Sequence, residues 1–184
     1  MICMILETNR LILRKWTEED AGALYFLARN PEIGKKAGWL PHENVAYSRA
    51  IIRTVLNGDE DYAIVEKGGN NKPVGCISLM TEENPERSRA EGEGEIGYWV
   101  GMPYWNRGYA TEAVKEILRH GFDDLGLNKI YCAYFDGNNR SKKVQEKCGF
   151  VLHHTNYESH VPRLHEVRTE HVNYMTAAMW NVRL

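Results

Sequence analysis

The sequence predicts an α/β (α+β) chain built on one mixed sheet with helices on both faces, and three observations carry that prediction. Strand-patterned and helix-patterned segments follow one another along the 184 residues, with no repeat and no low-complexity tract. A strand-like run, Glu95–Gly101, passes through a glycine-rich corner, Trp105–Ala110, into a helix-like run, Thr111–Phe122. The composition, 43% hydrophobic and 26% charged, suits a globular chain with one substantial core. No shift of composition marks a boundary, so residues 1–184 are expected to form a single domain.

Leu11, Ile12 and Leu13 between Arg10 and Arg14 pattern the first strand. Thr17-Glu-Glu-Asp20 then starts a helix by placing a capping hydroxyl and acidic residues ahead of apolar Leu24, Leu27 and Ala28. Asn30-Pro31 is expected to stop it, because the residue before proline avoids the helical region. A second helix is expected from Asn44 to Leu56, ended by Asn57-Gly58. Two strands follow, Asp61–Glu66 and Pro73–Met80, and the Lys67-Gly-Gly-Asn-Asn-Lys72 between them is a hairpin signal. Thr81–Gly94 is charged and unpatterned, an exposed loop. The helix after the glycine corner runs to Leu125 and stops at Gly126, and an apolar strand, Lys129–Phe135, comes next. A short amphipathic helix leads to Cys148-Gly-Phe-Val151. His153–Thr169, with Pro162, reads as loop, and His171–Ala178 as the last strand.

Charge and apolar runs exclude several classes. A formal net charge of −2 and a pI near 6.4 give no general nucleic-acid surface. No apolar stretch reaches the ~20 residues that span a bilayer, and the start of the chain lacks the pattern of a signal peptide. The cytoplasm is the expected compartment. Cys3, Cys76, Cys132 and Cys148 form no C-x-x-C pair, and Cys76 and Cys132 sit within apolar strand patterns as small hydrophobes. The seven histidines suggest no metal. Neighbours on a strand face opposite ways, so His153 and His154 should not share an ion, and no zinc-site spacing occurs.

A glycine-rich corner between strand and helix offers backbone N–H groups and the positive end of a helix dipole, which together bind phosphate. On its own it names an anion site and no chemistry. The dinucleotide fingerprint wants glycine where Trp105 stands, and no acidic ribose-binding residue follows, so a nicotinamide cofactor is not expected.

Together with Asp136-Gly-Asn138-Asn-Arg-Ser141 and Gly149-Phe150, the corner resembles the acetyl-CoA-binding core of the Gcn5-related N-acetyltransferases. Thr8-Asn-Arg-Leu-Ile-Leu-Arg14 and Gly97-Tyr-Trp…Pro103-Tyr-Trp105 are similar to the branch that acetylates protein N-termini, the ribosomal-protein alanine N-acetyltransferases. The resemblance runs from about Leu6 to Leu184 and implies an acyl-CoA N-acyltransferase fold, a mostly antiparallel sheet splayed at its fourth and fifth strands. It implies acetyl-CoA as cosubstrate and direct transfer to a primary amine: a protein N-terminus, an aminoglycoside or polyamine, or an amino-acid-like metabolite. A binding or sensor protein of the same fold is the alternative, and a monomer or homodimer is expected.

The resemblance also implies site residues. The backbone N–H groups of Asn106, Arg107, Gly108, Tyr109 and Ala110 face the pyrophosphate, and Thr111 is the helix N-cap. Arg107 is either a phosphate partner or a solvated loop arginine. The family's Arg or Gln position falls on Trp105, which can wall the pocket instead. Asn138 and Ser141 contact coenzyme, with Asn138 also readable as a cap, and Lys142 and Lys143 are read as an ordinary exposed helix face. Backbone N–H groups around Trp99 and Val100 hold the acetyl carbonyl. Glu95 is the candidate base, with Glu93 as fallback, against a solvated acidic run as the alternative. Gln145 stands where many relatives carry the tyrosine acid, so Ser141, water or an unaided thiolate must serve instead. Trp39, Leu40, His42 and the histidines of residues 153–171 are candidates to line the acceptor pocket.

Overall fold

The computed structural model describes residues 5–81 and 90–182. Most of the loop expected over Thr81–Gly94, and Cys3, therefore lie outside the described residues. Eight strands form one sheet in the order β1-β2-β3-β4-β5-β6-β8-β7. They are β1 (Leu6–Glu7), β2 (Leu11–Arg14), β3 (Asp61–Glu66), β4 (Pro73–Met80), β5 (Glu93–Val100), β6 (Lys129–Phe135), β7 (Val151–Val161) and β8 (Glu166–Thr176). The β1–β2, β2–β3, β3–β4, β6–β8 and β7–β8 ladders are antiparallel, and β5 pairs with β6 in parallel. The β5–β6 ladder runs only from Glu93↔Lys129 to Ile96↔Cys132, although the two strands continue to Val100 and Phe135. These are the two strands at which the family resemblance implies a splay.

The chain packs as two compact units. One is the chain up to Ser78 with Tyr98–Ala113; the other is Leu79–Gly97 with everything from Val114 on.

In the first unit, Tyr62, Ala63, Ile64 and Val65 of β3 are all buried, so both faces of that strand are covered. Helices α1 (Ala21–Ala28) and α3 (Val45–Thr54) cover one face, where Leu24, Ala28 and Ile52 pack with Trp16, Ala63, Val65 and Cys76. The start of α4 (Tyr109–Arg119) covers the other, where the Tyr109 hydroxyl donates to the Glu66 carboxylate. Asn30-Pro31 ends α1 as expected and also begins α2 (Pro31–Ala37). Proline has no N–H to lose at a first helical position, and Asn30 Oδ1 accepts from the Glu32 N–H at 2.9 Å. Asn44 caps α3 in the same way, accepting from the Tyr47 N–H at 2.8 Å.

In the second unit, Ile130 and Cys132 of β6 are buried, and Gly121 lets the chain approach Ile130: a Cβ there would lie 2.6 Å from Ile130 Cδ1. Helix α4 passes into a single π-helical turn, His120–Asp124, before Gly126. Helix α5 (Asn139–Cys148) is tied to the sheet by Gln145, which is 0% exposed. Its Nε2 donates to the Ala133 carbonyl and to Ser141 Oγ, both at 3.2 Å, and its Oε1 accepts from Asn173 Nδ2 at 2.8 Å.

Three expectations are corrected here. The loop expected over residues 153–169 is a hairpin of two 11-residue strands around Pro162–Leu164. Side chains of β7 are exposed on both faces, so the strand carries no hydrophobic alternation to read. The last strand also ends at Thr176, where α6 (Ala177–Asn181) begins with Thr176 Oγ1 accepting from the Met179 N–H. His153 and His154 do meet: a bulge between Leu152 and His154 breaks strict alternation and brings their Nδ1 atoms to 2.7 Å. Among the described residues no group of three or more His, Cys, Asp or Glu side chains could hold a metal ion, and no helix is long and apolar enough to cross a membrane.

Two stability tests follow from this packing. A Cβ on Gly75 would stand 2.5 Å from the Trp99 carbonyl oxygen and 3.0 Å from Val100 Cα. Gly75→Ala should therefore lower stability by about 1–3 kcal/mol in urea denaturation, because backbone must give way. Gln145→Leu fits the volume but leaves Asn173 without its acceptor, at a cost of roughly 1–3 kcal/mol for each buried group left unpaired.

Candidate active site

Strand β5 leads into the glycine corner through a 3₁₀ turn, Met102–Tyr104. The Gly101 N–H donates to the Val74 carbonyl of β4 at 2.8 Å, and the Trp99 carbonyl also lies against β4, beside Gly75. Alternation along the strand then turns the polar backbone groups of Val100 away from β4. The Val100 carbonyl accepts from Trp105 Nε1 at 2.7 Å. Trp105 thus folds the corner back onto the end of β5, with Lys36 Nζ 5.5 Å from its ring centre.

Two residues of the corner are left-handed: Asn106 at φ 62° and Gly108 at φ 81°. Such turns gather successive N–H groups into an anion-binding concavity. Asn tolerates this region better than most side chains, and glycine adopts it without strain. Helix α4 opens at Tyr109, and the Glu112 N–H closes its first turn onto the Gly108 carbonyl at 3.0 Å. Thr111 is therefore inside the first turn and is not the N-cap, because the helix begins two residues earlier than its pattern suggested. The N–H groups at the start of α4 point out of its end, the arrangement that accepts phosphate.

The side chains of the corner face elsewhere. The Tyr109 ring is buried, and the Glu66 carboxylate, with burial, holds its phenol above the usual range. Tyr109 can offer only its backbone. The Arg107 guanidinium sits 5.3 Å from the Tyr104 ring centre. The underside of the corner is held by Arg10 of the sequence preceding β2. Its Nη1 donates to the Arg107 carbonyl at 3.0 Å, its Nε to Glu112 Oε2 at 2.7 Å, and its guanidinium lies 5.0 Å from the Tyr109 ring centre. Thr8, Arg10 and Glu112 were not picked out individually from the sequence. The signal lay in the Thr8-Asn-Arg10 opening, which carried a resemblance and no assignable chemistry.

The first unit also holds three of the acceptor-side candidates, Trp39, Leu40 and His42, whereas the histidines of residues 153–171 belong to the second. Trp39 meets Trp99 edge-on with ring centres 5.9 Å apart, and His42 Nδ1 lies 2.8 Å from Ser48 Oγ. Burial pushes the His42 imidazole below its usual value. Leu40 is exposed.

In the second unit, Glu95 is buried, at 6% exposure, and so is not part of a solvated acidic run. It stands opposite Tyr131 in the β5–β6 ladder. Glu93, the fallback, is engaged: Lys129 Nζ is 3.9 Å from its carboxylate and 4.8 Å from the Tyr131 ring centre. Asn138 Oδ1 accepts from the Ser141 N–H at 3.3 Å, which makes Asn138 the cap of α5. Among the described residues, none accepts a hydrogen bond from its Nδ2. Gln145 has no such freedom: both amide hydrogens and the carbonyl oxygen are committed within the fold.

Residues 10–151 match the acetyltransferase (GNAT) domain family. The chain is 30% identical over 166 residues to Bacillus subtilis YoaA, an uncharacterised N-acetyltransferase, covering 86% of this chain and 91% of that one. It is 31% identical over 136 residues to B. subtilis YdaF, a candidate ribosomal N-acetyltransferase, covering 73% of this chain and 66% of YdaF. An acetyltransferase of the GNAT family from Bacillus anthracis has the same fold, with a TM-score of 0.82 at 22% identity over 95% of this chain and 99% of its own. The microcin C7 self-immunity acetyltransferase MccE, solved with acetyl-CoA and AMP, superposes with a TM-score of 0.74 at 19% identity over 92% of this chain and 93% of its own. The chain thus belongs to the GNAT acetyltransferase family, as an N-acetyltransferase that uses acetyl-CoA to acetylate an amine.

Proposed function

We propose that this chain acts as one catalytic domain in the cytoplasm and acetylates the N-terminal amine of a protein by direct transfer. Its kinship with YdaF and the Thr8–Arg14 and Gly97–Trp105 segments support that acceptor. The buried thiols of Cys76, Cys132 and Cys148, none of them joined in a disulfide, accord with a reducing compartment.

One observation carries the mechanism: the polar backbone of Val100 turns away from β4 just before the corner that opens α4. In this reading the N–H groups of Asn106, Arg107, Gly108, Tyr109, Ala110 and Thr111 receive the coenzyme pyrophosphate. Asn138, capping α5 with its oxygen, offers its amide nitrogen to the pantetheine arm. Of the two expected carbonyl donors, Val100 takes the role and Trp99 supplies a wall. The neutral amine attacks the thioester carbon, and the carbonyl oxygen gathers charge against the Val100 N–H. Glu95 takes the ammonium proton through water as the C–S bond breaks. Ser141, its Oγ held by Gln145, hydrogen-bonds the departing sulfur, which leaves as thiolate and is protonated from solvent. Placing amine and thioester together supplies much of the rate, so a dedicated acid is dispensable.

Thiol release against N-terminal peptides, polyamines and aminoglycosides tests the acceptor. Acetylation of peptide α-amines is expected, and turnover confined to the small amines would sink this reading. Gly108→Glu should abolish acetyl-CoA binding in calorimetry, since a carboxylate would enter the anion site on a backbone already at positive φ. Glu95→Gln should lower kcat roughly a hundredfold while leaving coenzyme affinity unchanged, as befits a general base. Wild-type kcat in that variant would remove Glu95 from the mechanism.

A further inference from the structure

We propose that Arg10 is a positioning residue for coenzyme binding, and that it works by neutralising Glu112 and holding the Arg107 carbonyl. The proposal rests on the reading that the corner binds the coenzyme's pyrophosphate.

Glu112 is an acidic residue in the first turn of α4. A carboxylate there suits the helix dipole in an empty protein, but it repels a diphosphate arriving at the same helix end. Its side chain is only 18% exposed, so solvent does little to screen it. Four donors quench it instead. Thr8 Oγ1 donates to Oε1 at 2.5 Å and the Arg10 N–H at 2.8 Å, while Arg10 Nε reaches Oε2 at 2.7 Å and Nη2 at 2.6 Å. These bonds hold the Glu112 carboxyl below its ordinary range even though burial opposes them. Charge-assisted bonds in a two-nitrogen fork are the strong kind, and only arginine presents that fork.

The third nitrogen of the same guanidinium does different work. Arg10 Nη1 holds the Arg107 carbonyl between the two left-handed residues, Asn106 and Gly108, and Nη2 passes 3.3 Å from where a Gly108 Cβ would be. The corner's geometry and the charge beneath it thus depend on one side chain about a hundred residues earlier in the chain. With Arg10 replaced by glutamine, the carboxylate keeps the Thr8 hydroxyl and the backbone N–H on Oε1 but loses its counter-charge beside the diphosphate, and the Arg107 carbonyl is released.

Three proteins, titrated with acetyl-CoA and assayed at saturating coenzyme, test this: wild type, Arg10→Gln, and Arg10→Gln with Glu112→Gln. We expect the single variant to weaken acetyl-CoA binding about tenfold or more, the scale of one lost charge interaction near a phosphate, with kcat unchanged. Removing the carboxylate as well should restore part of that loss, and the unchanged kcat at saturating coenzyme separates this role from a merely structural contribution of Arg10. Wild-type affinity in Arg10→Gln, or a double variant no better than the single one, overturns the proposal. If wild type itself fails to bind acetyl-CoA, the pyrophosphate reading falls and takes this inference with it. Should Arg10→Gln not fold, Arg10→Lys decides: one ammonium cannot reproduce the two-nitrogen contact with Glu112 Oε2 and hold the Arg107 carbonyl as well, so weaker binding is expected and wild-type affinity refutes the role.

Discussion

Backbone polar groups need partners, and the four-residue ladder between β5 and β6 is where that demand shapes this protein. Beyond Ile96 and Cys132 the two strands no longer pair with each other. On one side the Val100 carbonyl is met by the Trp105 indole, and on the other the Ala133 carbonyl is met by the Gln145 amide. Each side chain closes a strand that has left its ladder, and each fixes what comes next in the chain. Trp105 sets the start of the glycine corner; Gln145 seats α5 and holds Ser141 Oγ.

The residues that reseal it also explain two departures from the family pattern. A tryptophan stands where the family resemblance implies Arg or Gln at the head of the glycine corner, and a glutamine where it implies tyrosine in the later helix. Both act as hydrogen-bond donors to strand carbonyls, a task for which an indole N–H and a primary amide suit well.

How far the sequence could be read depended on whether burial leaves a mark. Strands β3 and β4, buried along most of their length, were located to the residue by their apolar runs and the Gly-Gly-Asn-Asn turn between them. Strand β7 was missed because neither of its faces is buried, and α2 was missed because Pro31 ends one helix and starts another with the same atoms. The turn at Asn106 and Gly108 was visible because left-handed backbone needs glycine or asparagine, which are conspicuous letters. Arg10 and Glu112 were invisible as a pair because a contact across 102 residues leaves no spacing to find. Gln145 could be flagged as a departure from a pattern, but its real partners, on β6 and β8, appear only once the chain is folded.

The sheet's two edges have a consequence for life at high protein concentration. On one side β1 offers only two residues, too little for another chain to dock onto. On the other, β7 is 11 residues long and exposed, which would ordinarily be a template for runaway strand addition. Its register slips twice, between Leu152 and His154 and between Asn156 and Ser159, so its free edge cannot present a straight row of donors and acceptors. The bulge that brings His153 against His154 is thus also one of two places where the outer edge of a long exposed hairpin is kept from being straight.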